Sequence, residues 1–266
     1  MPVLRRRMVT PGATVLHRPS VEVRDDCRVS LFFAEIRETL VPARGTRHGP
    51  LPPLLVGLTV VTGLVDAFSY LVLGHVFVAN MTGNVVFLGF ALAGAPGFSI
   101  VASAAALAAF WCGAFAGGFI RTRSGGHRGR HLSAAASIQS VFVAAAVVLA
   151  ALSPNPATAG YRYPLIVLLG AAMGIQNATA RHLAVPDLTT TVLTLTLTGT
   201  AADTHAAGGQ GSKAGRRTIA VLAMFAGALA GALLVRHVAI ALPLAIALVA
   251  LVVIAVVARM AGRGDP

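Results

Sequence analysis

Residues 75–95 read HVFVANMTGNVVFLGFALAGA, and whether this stretch crosses a membrane decides the topology of the whole chain. It is apolar at both ends but carries Asn80, Thr82, Gly83 and Asn84 in its middle. That leaves only about half a span of clean apolar sequence, where a spanning helix needs roughly 20 residues. Residues 183–205 pose the same problem, with Pro186, Asp187 and eight threonines. Such segments read as half-helices or re-entrant hairpins, which hydrocarbon tolerates only where they are buried in protein or line a cavity.

Around them lie six apolar runs of spanning length or close to it: 54–74, 98–120, 132–152, 163–180, 218–235 and 239–258. Loop charge decides between eight crossings and six. If all eight segments cross, the basic residues beyond position 50 split six and six. Arg162, Lys213, Arg216, Arg217, Arg259 and Arg263 then face one side, and Arg121, Arg123, Arg128, Arg130, Arg181 and Arg236 the other. If the two interrupted segments return to the side they started from, only Arg162 and Arg236 lie outside and ten lie inside. Positive charge collects on the cytoplasmic side, so the six-span reading is favoured, with both termini cytoplasmic.

Composition supports the membrane as solvent. Hydrophobic residues make up 56% of the chain and charged residues 11%, against about 25% charged in soluble domains. The net charge of +12 comes from basic residues scattered between apolar runs, not gathered with aromatics, so no nucleic-acid partner is expected. The lipid bilayer is the partner that the composition implies. Residues 1–50 are expected to form a cytoplasmic tail, disordered over 1–30, with an amphipathic surface helix over 31–41, LFFAEIRETLV. Residues 51–260 form the membrane domain. Cys27 and Cys112 read as free thiols. His127 and His131 lie four apart in a Gly/Arg stretch that reads as a solvated basic loop, so no metal site is expected.

The chain also repeats. Gly63-x-x-Asp66-Ala67 matches Gly174-x-x-Asn177-Ala178; Met81-Thr82-Gly83-Asn84 lies opposite Leu193-Thr194-Leu195-Thr196; Gly113-Ala114-Phe115-Ala116-Gly117 matches Gly227-Ala228-Leu229-Ala230-Gly231. Repeat one covers about 54–152 and repeat two about 163–258. Three crossings per repeat is an odd number, so the second copy is inverted, as in many transporters.

Asp66 is the sharpest chemical signal. A carboxylate inside a span costs roughly 2.5–3.5 kcal/mol on insertion scales, so it must face a cavity, find a partner or hold a proton. The candidate solute or ion site is Asp66 with Asn80, Thr82, Asn84, Gln176, Asn177, Thr191 and Thr194. For Asn80, Thr82 and Asn84, satisfying the backbone at a break is an equally good reading. Gln176 and Asn177 either line the site or bond between helices. Asp187 and Asp203 read as structural, and the G-x-x-x-G motifs as close helix packing. No nucleophile elbow, Walker loop, dinucleotide fingerprint or zinc-protease motif occurs. No catalytic residue, enzymatic activity or cofactor is therefore expected.

The stretches TGLVDAFSYLVLGHVFVANMTGNVVFLGFAL (62–92) and GIQNATARHLAVPDLTTTVLTLTLTG (174–199) resemble the YoaK-like family of bacterial integral membrane proteins. The resemblance covers roughly 50–260. It rests on G-x-x-D-A, M-T-G-N, G-x-Q-N-A and V-P-D-x-T-T-T. It implies a multi-pass membrane protein and brings no established activity. The family's second half commonly has T-G-T where this chain has Thr194-Leu195-Thr196, which argues against a sharp second break. The function expected is passage of a small solute or ion between the repeats. The alternative is a non-transporting membrane protein that binds a partner or lipid.

The topology can be checked with single cysteines at Gly126, Asn155 and Gly209 in a chain lacking Cys27 and Cys112. Only Asn155→Cys should react with an impermeant reagent from outside the cell. Outward labelling at Gly126→Cys would restore eight crossings.

Overall fold

The computed structural model describes residues 21–42, 48–186, 188, 193–202 and 214–262. Among them it is all helical: α1 (Val21–Leu40), α2 (Leu51–Val72), α3 (Met81–Leu92), α4 (Ile100–Arg123), α5 (Arg128–Leu152), α6 (Ala159–Leu183), α7 (Leu193–Ala202), α8 (Ala214–His237) and α9 (Leu242–Ala261). Six of these, α2, α4, α5, α6, α8 and α9, are long and apolar enough to cross a membrane. They fall on the six apolar runs of the sequence. α3, at 12 residues, is about 18 Å long, well short of a hydrocarbon core of about 30 Å.

The helix boundaries follow local chemistry. Pro52 begins the first turn of α2, where a missing N–H costs nothing. Ser99 caps α4 by accepting from the Ala102 N–H at 3.2 Å. Two residues after the end of α2 the chain turns at Gly74 (φ +82°), whose Cα faces the Arg162 guanidinium so closely that a Cβ would lie 3.0 Å from it.

The packing shows an exchange between the repeats. α2, first in repeat one, lies along α8, third in repeat two; α6, first in repeat two, lies along α4, third in repeat one. The fourth members, α5 and α9, pair with each other. Glycines make both exchanged seams backbone-to-backbone contacts. A Cβ on Gly63 would sit 2.5 Å from the Met224 carbonyl oxygen, and one on its repeat mate Gly174 would sit 2.1 Å from the Phe110 carbonyl oxygen. Gly227 and Gly113 approach Val60 and Ala171 in the same way; Gly231 and Gly117 approach Leu64 and Ile175. Every partner in one seam is the repeat mate of its counterpart in the other.

These contacts also give the helix directions. Gly227 meets Val60 and Gly231 meets Leu64 and Ala67, so α2 and α8 run parallel; α4 and α6 run parallel by the corresponding contacts. α2 and α6 run antiparallel, since Gln176 reaches Leu58 and Thr62 while Arg162 reaches Gly74. The end of α2 and the start of α4 thus share one end of the bundle, and the end of α6 and the start of α8 the other, so neither connection adds a net crossing. The structure is two inverted repeats related by a pseudo-two-fold axis lying in the membrane plane.

About two-thirds of α2 and of α6 is buried, against about a third of the other four spans, so these two form the centre. Phe68, Leu55 and Leu58 on α2 and Leu165, Ile166, Leu169 and Met173 on α6 are fully enclosed. Trp111, Phe115 and Phe225 point outward, where the solvent is lipid.

Two expectations for the N-terminal region need correction. Residues 21–30, expected to be disordered, are helical, and the helix expected over 31–41 is α1, starting at Val21. Nor is it only a surface helix. Its second half docks on the start of α8: Glu35 Oε2 accepts from the Gly215 N–H at 3.0 Å, and Arg216 donates to the Thr39 hydroxyl at 3.3 Å. An acid at a helix N-terminus meets orphan N–H groups and the positive end of the dipole, which explains the docking point. Residues 1–20 lie outside the described residues.

The glycine seams predict a sharp contrast. Gly63→Ala and Gly174→Ala should each destabilise by about 1–3 kcal/mol through overpacking. Gly89→Ala, whose Cβ would meet nothing within 4 Å, should be neutral or stabilise by about 0.5–1 kcal/mol. Thermal melting in detergent compares the three. Equal melting temperatures would remove the backbone seam from the account of the fold.

Candidate functional site

The sequence-derived site separates into three places. The first is the break after α2. Asp66 is 4% exposed and lies six residues before the end of α2. Its Oδ1 accepts from the backbone N–H groups of Val78 (3.1 Å) and Ala79 (2.9 Å), and its Oδ2 from the Asn80 side-chain amide. Asn84, fully buried, clasps the backbone of Phe77: its Oδ1 accepts from the Phe77 N–H at 3.0 Å and its Nδ2 donates to the Phe77 carbonyl at 2.5 Å. Together Asp66 and Asn84 replace the helical hydrogen bonds that residues 77–79 lack. Gly83 is required because a Cβ would come within 2.7 Å of the Phe77 ring. That ring stacks on Tyr70 and Phe87. Asp66 therefore stands at the start of α3, where an anion would be held in a half-helix site, and its oxygens are occupied by the protein's own N–H groups.

The second place is mid-depth. Gln176 on α6 is 1% exposed. Its amide donates to the Leu58 carbonyl (3.2 Å) and to the Thr62 hydroxyl (2.7 Å), and its carbonyl accepts from Gln139 on α5 at 2.7 Å. The antiparallel register of α2 on α6, with the repeat spacing, puts the pseudo-axis close to Thr62 and its mate Met173. The Gln139–Gln176–Thr62 cluster thus sits at the centre of the bundle and joins three helices from both repeats.

The third place is the half-helix α7. Thr194 is exposed, Thr196 is buried, and Thr191 lies outside the described residues. Thr196 is the repeat mate of Asn84, and both are buried in their half-helices.

Several expectations are corrected by this geometry. Asp66 and Asn177 do not face each other at mid-depth. Each lies four residues past the axis on antiparallel helices, so they sit about 6 Å to opposite sides of it at 1.5 Å per residue. Asn177 donates to the Met173 carbonyl of its own helix at 2.9 Å. Thr82 and Thr194 are exposed and do not join Asp66. His131, read as part of a solvated loop, is 4% exposed in the first turns of α5. Sequence reasoning missed Gln139 as well. Its signal was a lone amide in an apolar run, with no repeat mate to draw attention.

One cavity, of about 180 Å³, opens at the end of the bundle where α2 and α5 begin and α9 ends, lined by His48, Arg128 and the small residues Gly129, Ala258 and Gly262. Arg128 there bonds His48 at 3.0 Å and the Leu183 carbonyl that ends α6. Arg121 reaches His182 at 3.3 Å. This is the basic end of the molecule.

The role of Asp66 can be tested by two substitutions. Asp66→Leu should cost about 1–3 kcal/mol for each N–H left bare, more than the removal of one intramembrane charge returns. Asp66→Asn keeps an acceptor for Val78 and Ala79 but turns an amide toward the Asn80 amide, so its loss should be smaller. Detergent melting temperatures in the order wild type, Asp66→Asn, Asp66→Leu check this. A more stable Asp66→Leu protein would contradict it.

A sequence profile described as "Protein of unknown function (DUF1275)" matches residues 54–257. A relative from Bacillus subtilis (strain 168), described as "UPF0700 transmembrane protein YoaK", is 38% identical over 146 residues, which are 54% of this chain and 63% of the relative. No solved structure matches. The profile covers the six spans and both half-helices and excludes α1. With six helices long and apolar enough to cross a membrane, the chain is a multi-pass membrane protein, and on that match it belongs to the DUF1275 family of proteins of unknown function.

Proposed function

We propose that this protein is a transporter or channel for a small polar solute or ion, with its path between the two repeats. The observation that supports this reading most is the exchanged, inverted pairing of α2 with α8 and α6 with α4. Two halves of opposite orientation, each with a half-helix, can take the same two arrangements about one axis. This is how alternating access is built in inverted-repeat carriers. The buried Gln139–Gln176–Thr62 cluster lies where such a path would cross mid-depth. Neutral amides and a hydroxyl there suit a solute read by hydrogen bonds. Asp66 shapes the break and is not a ligand in this reading. The family match adds the multi-pass membrane setting and no substrate.

The same reading places the protein in a bacterial inner membrane. Ten of the twelve basic residues beyond position 50 belong to one side, with the start of α2 and the end of α9, so both termini are cytoplasmic. No catalytic chemistry is proposed. A second reading, a non-transporting protein that binds a partner or lipid, draws on the full occupancy of Asp66 by protein donors.

Transport can be tested without a known substrate. Metabolite pools of a deletion strain are compared with strains restored by wild type or by Gln176→Leu, with abundance checked by immunoblot. The solutes that change are then offered to proteoliposomes. At least one polar solute should shift, return with wild type and fail to return with Gln176→Leu present at wild-type amount. If no pool changes and proteoliposomes move nothing faster than empty vesicles, the reading fails.

A further inference from the structure

Between the central cluster and the basic end, the seam of α5 with α6 holds polar groups that bond to neither. His131 is 4% exposed, and neither ring nitrogen has a hydrogen-bond partner among the described residues. Thr179, 1% exposed, has an unpartnered hydroxyl as well. A buried polar atom without a partner is costly, and in native proteins such an atom usually marks an ordered water or ion.

The positions form a line. Arg128, His131, Ala135 and Gln139 share one face of α5, at intervals of three and four residues. Gln176, Thr179 and Leu183 share one face of α6. The bonds Gln139–Gln176 and Arg128–Leu183 set the two faces against each other in antiparallel register. In that register Thr179 stands level with Ala135, between Gln139 and His131. Each step along the line is four residues of α5, roughly 6 Å of helix axis. Two polar groups that far apart are within reach of a single bridging water. Ala135, small and buried, puts no large side chain between them. At the outer end the His131 ring lies 6.2 Å from that of His182, which is exposed and held by Arg121 of α4. The other charged groups among the described residues at this end include Arg128 and exposed Arg130 on the same helix, Arg123 at the end of α4, Arg181 beside His182 on α6, Arg216 at the start of α8, and exposed Arg259 on α9.

We propose that the α5–α6 seam in the basic half of the bundle is a narrow hydrated passage. It runs from His182 past His131 and Thr179 to the Gln139–Gln176 pair, and admits water and protons from the basic side to mid-depth. His131 exchanges its ring protons with this water. Its use as the entry for a coupling proton rests on the transport reading; its hydration does not.

Water-edited solid-state NMR on isotope-labelled full-length protein in proteoliposomes tests this directly, with His131 signals assigned by their loss in His131→Asn. Magnetisation from water should reach the His131 ring and the Thr179 side chain several-fold faster than Leu169, which is fully enclosed on the same helix as Thr179. Thr179→Val, close to isosteric, should slow the transfer to Gln176 and leave His131 unchanged. His131 and Thr179 as slow as Leu169 would overturn the passage; so would a Thr179→Val protein in which Gln176 stays as wet as before. A wet seam in a protein that moves no solute would sink transport and keep the passage, whereas a dry seam in an active transporter would do the reverse.

Discussion

The architecture depends on two places where helix backbones touch without side chains between them. In lipid, helices gain little from hiding apolar surface, because the surroundings are equally apolar. Close approach and dispersion must do that work, and only glycine allows it. Gly63 with Gly227, and Gly174 with Gly113, bring α2 to α8 and α6 to α4. Because each pair joins the first helix of one repeat to the third of the other, neither repeat contains its own best packing partner. Burial of α2 and α6, the antiparallel central pair and the position of the pseudo-axis all follow from this exchange.

With the frame held from outside, the centre can carry polar groups. Asp66 and Asn84 do locally what a helix does by repetition: they give the backbone of 77–79 its hydrogen bonds. A break in hydrocarbon must be satisfied somewhere, and here short side chains from α2 and α3 meet that need. The glutamine pair is different in kind. It is confined to one side of the symmetry, since the repeat mate of Gln176 is Val65, and it ties α5, α6 and α2 into one network. The two repeats are therefore alike in frame and unlike in chemistry at the axis.

The membrane setting, the six spans and the two connections without a net crossing were legible in the sequence, because hydropathy and loop charge report on solvent directly. The repeat was legible too, through Gly63/Gly174 and Gly113/Gly227. What could not be read was which repeat each glycine packs against; a motif announces close approach and is silent on the partner. The candidate site was half legible. Asp66, Asn80 and Asn84 do converge, but Asp66 and Asn177, grouped in one site from the sequence, lie apart, because an in-plane axis carries equivalent residues to opposite depths unless they lie on it. Thr82 and Thr194 looked central because polar residues in apolar runs attract attention, yet both are exposed. Gln139 went unread and His131 was read as solvated for the opposite reason: a single amide, and a histidine beside arginines, resemble ordinary surface until their helices are placed.

The exchange has a consequence for biosynthesis. When α2 leaves the ribosome, its partner α8 has not been made; about 160 residues separate Gly63 from Met224, or roughly 8–32 seconds of synthesis. During that interval the face of α2 around Gly63 lies open to lipid, and α6 must thread back alongside α4 before the last two spans arrive. The chain cannot mature half by half. Its final fold waits on α9, and the insertion machinery must hold an unfinished first half in the membrane until then.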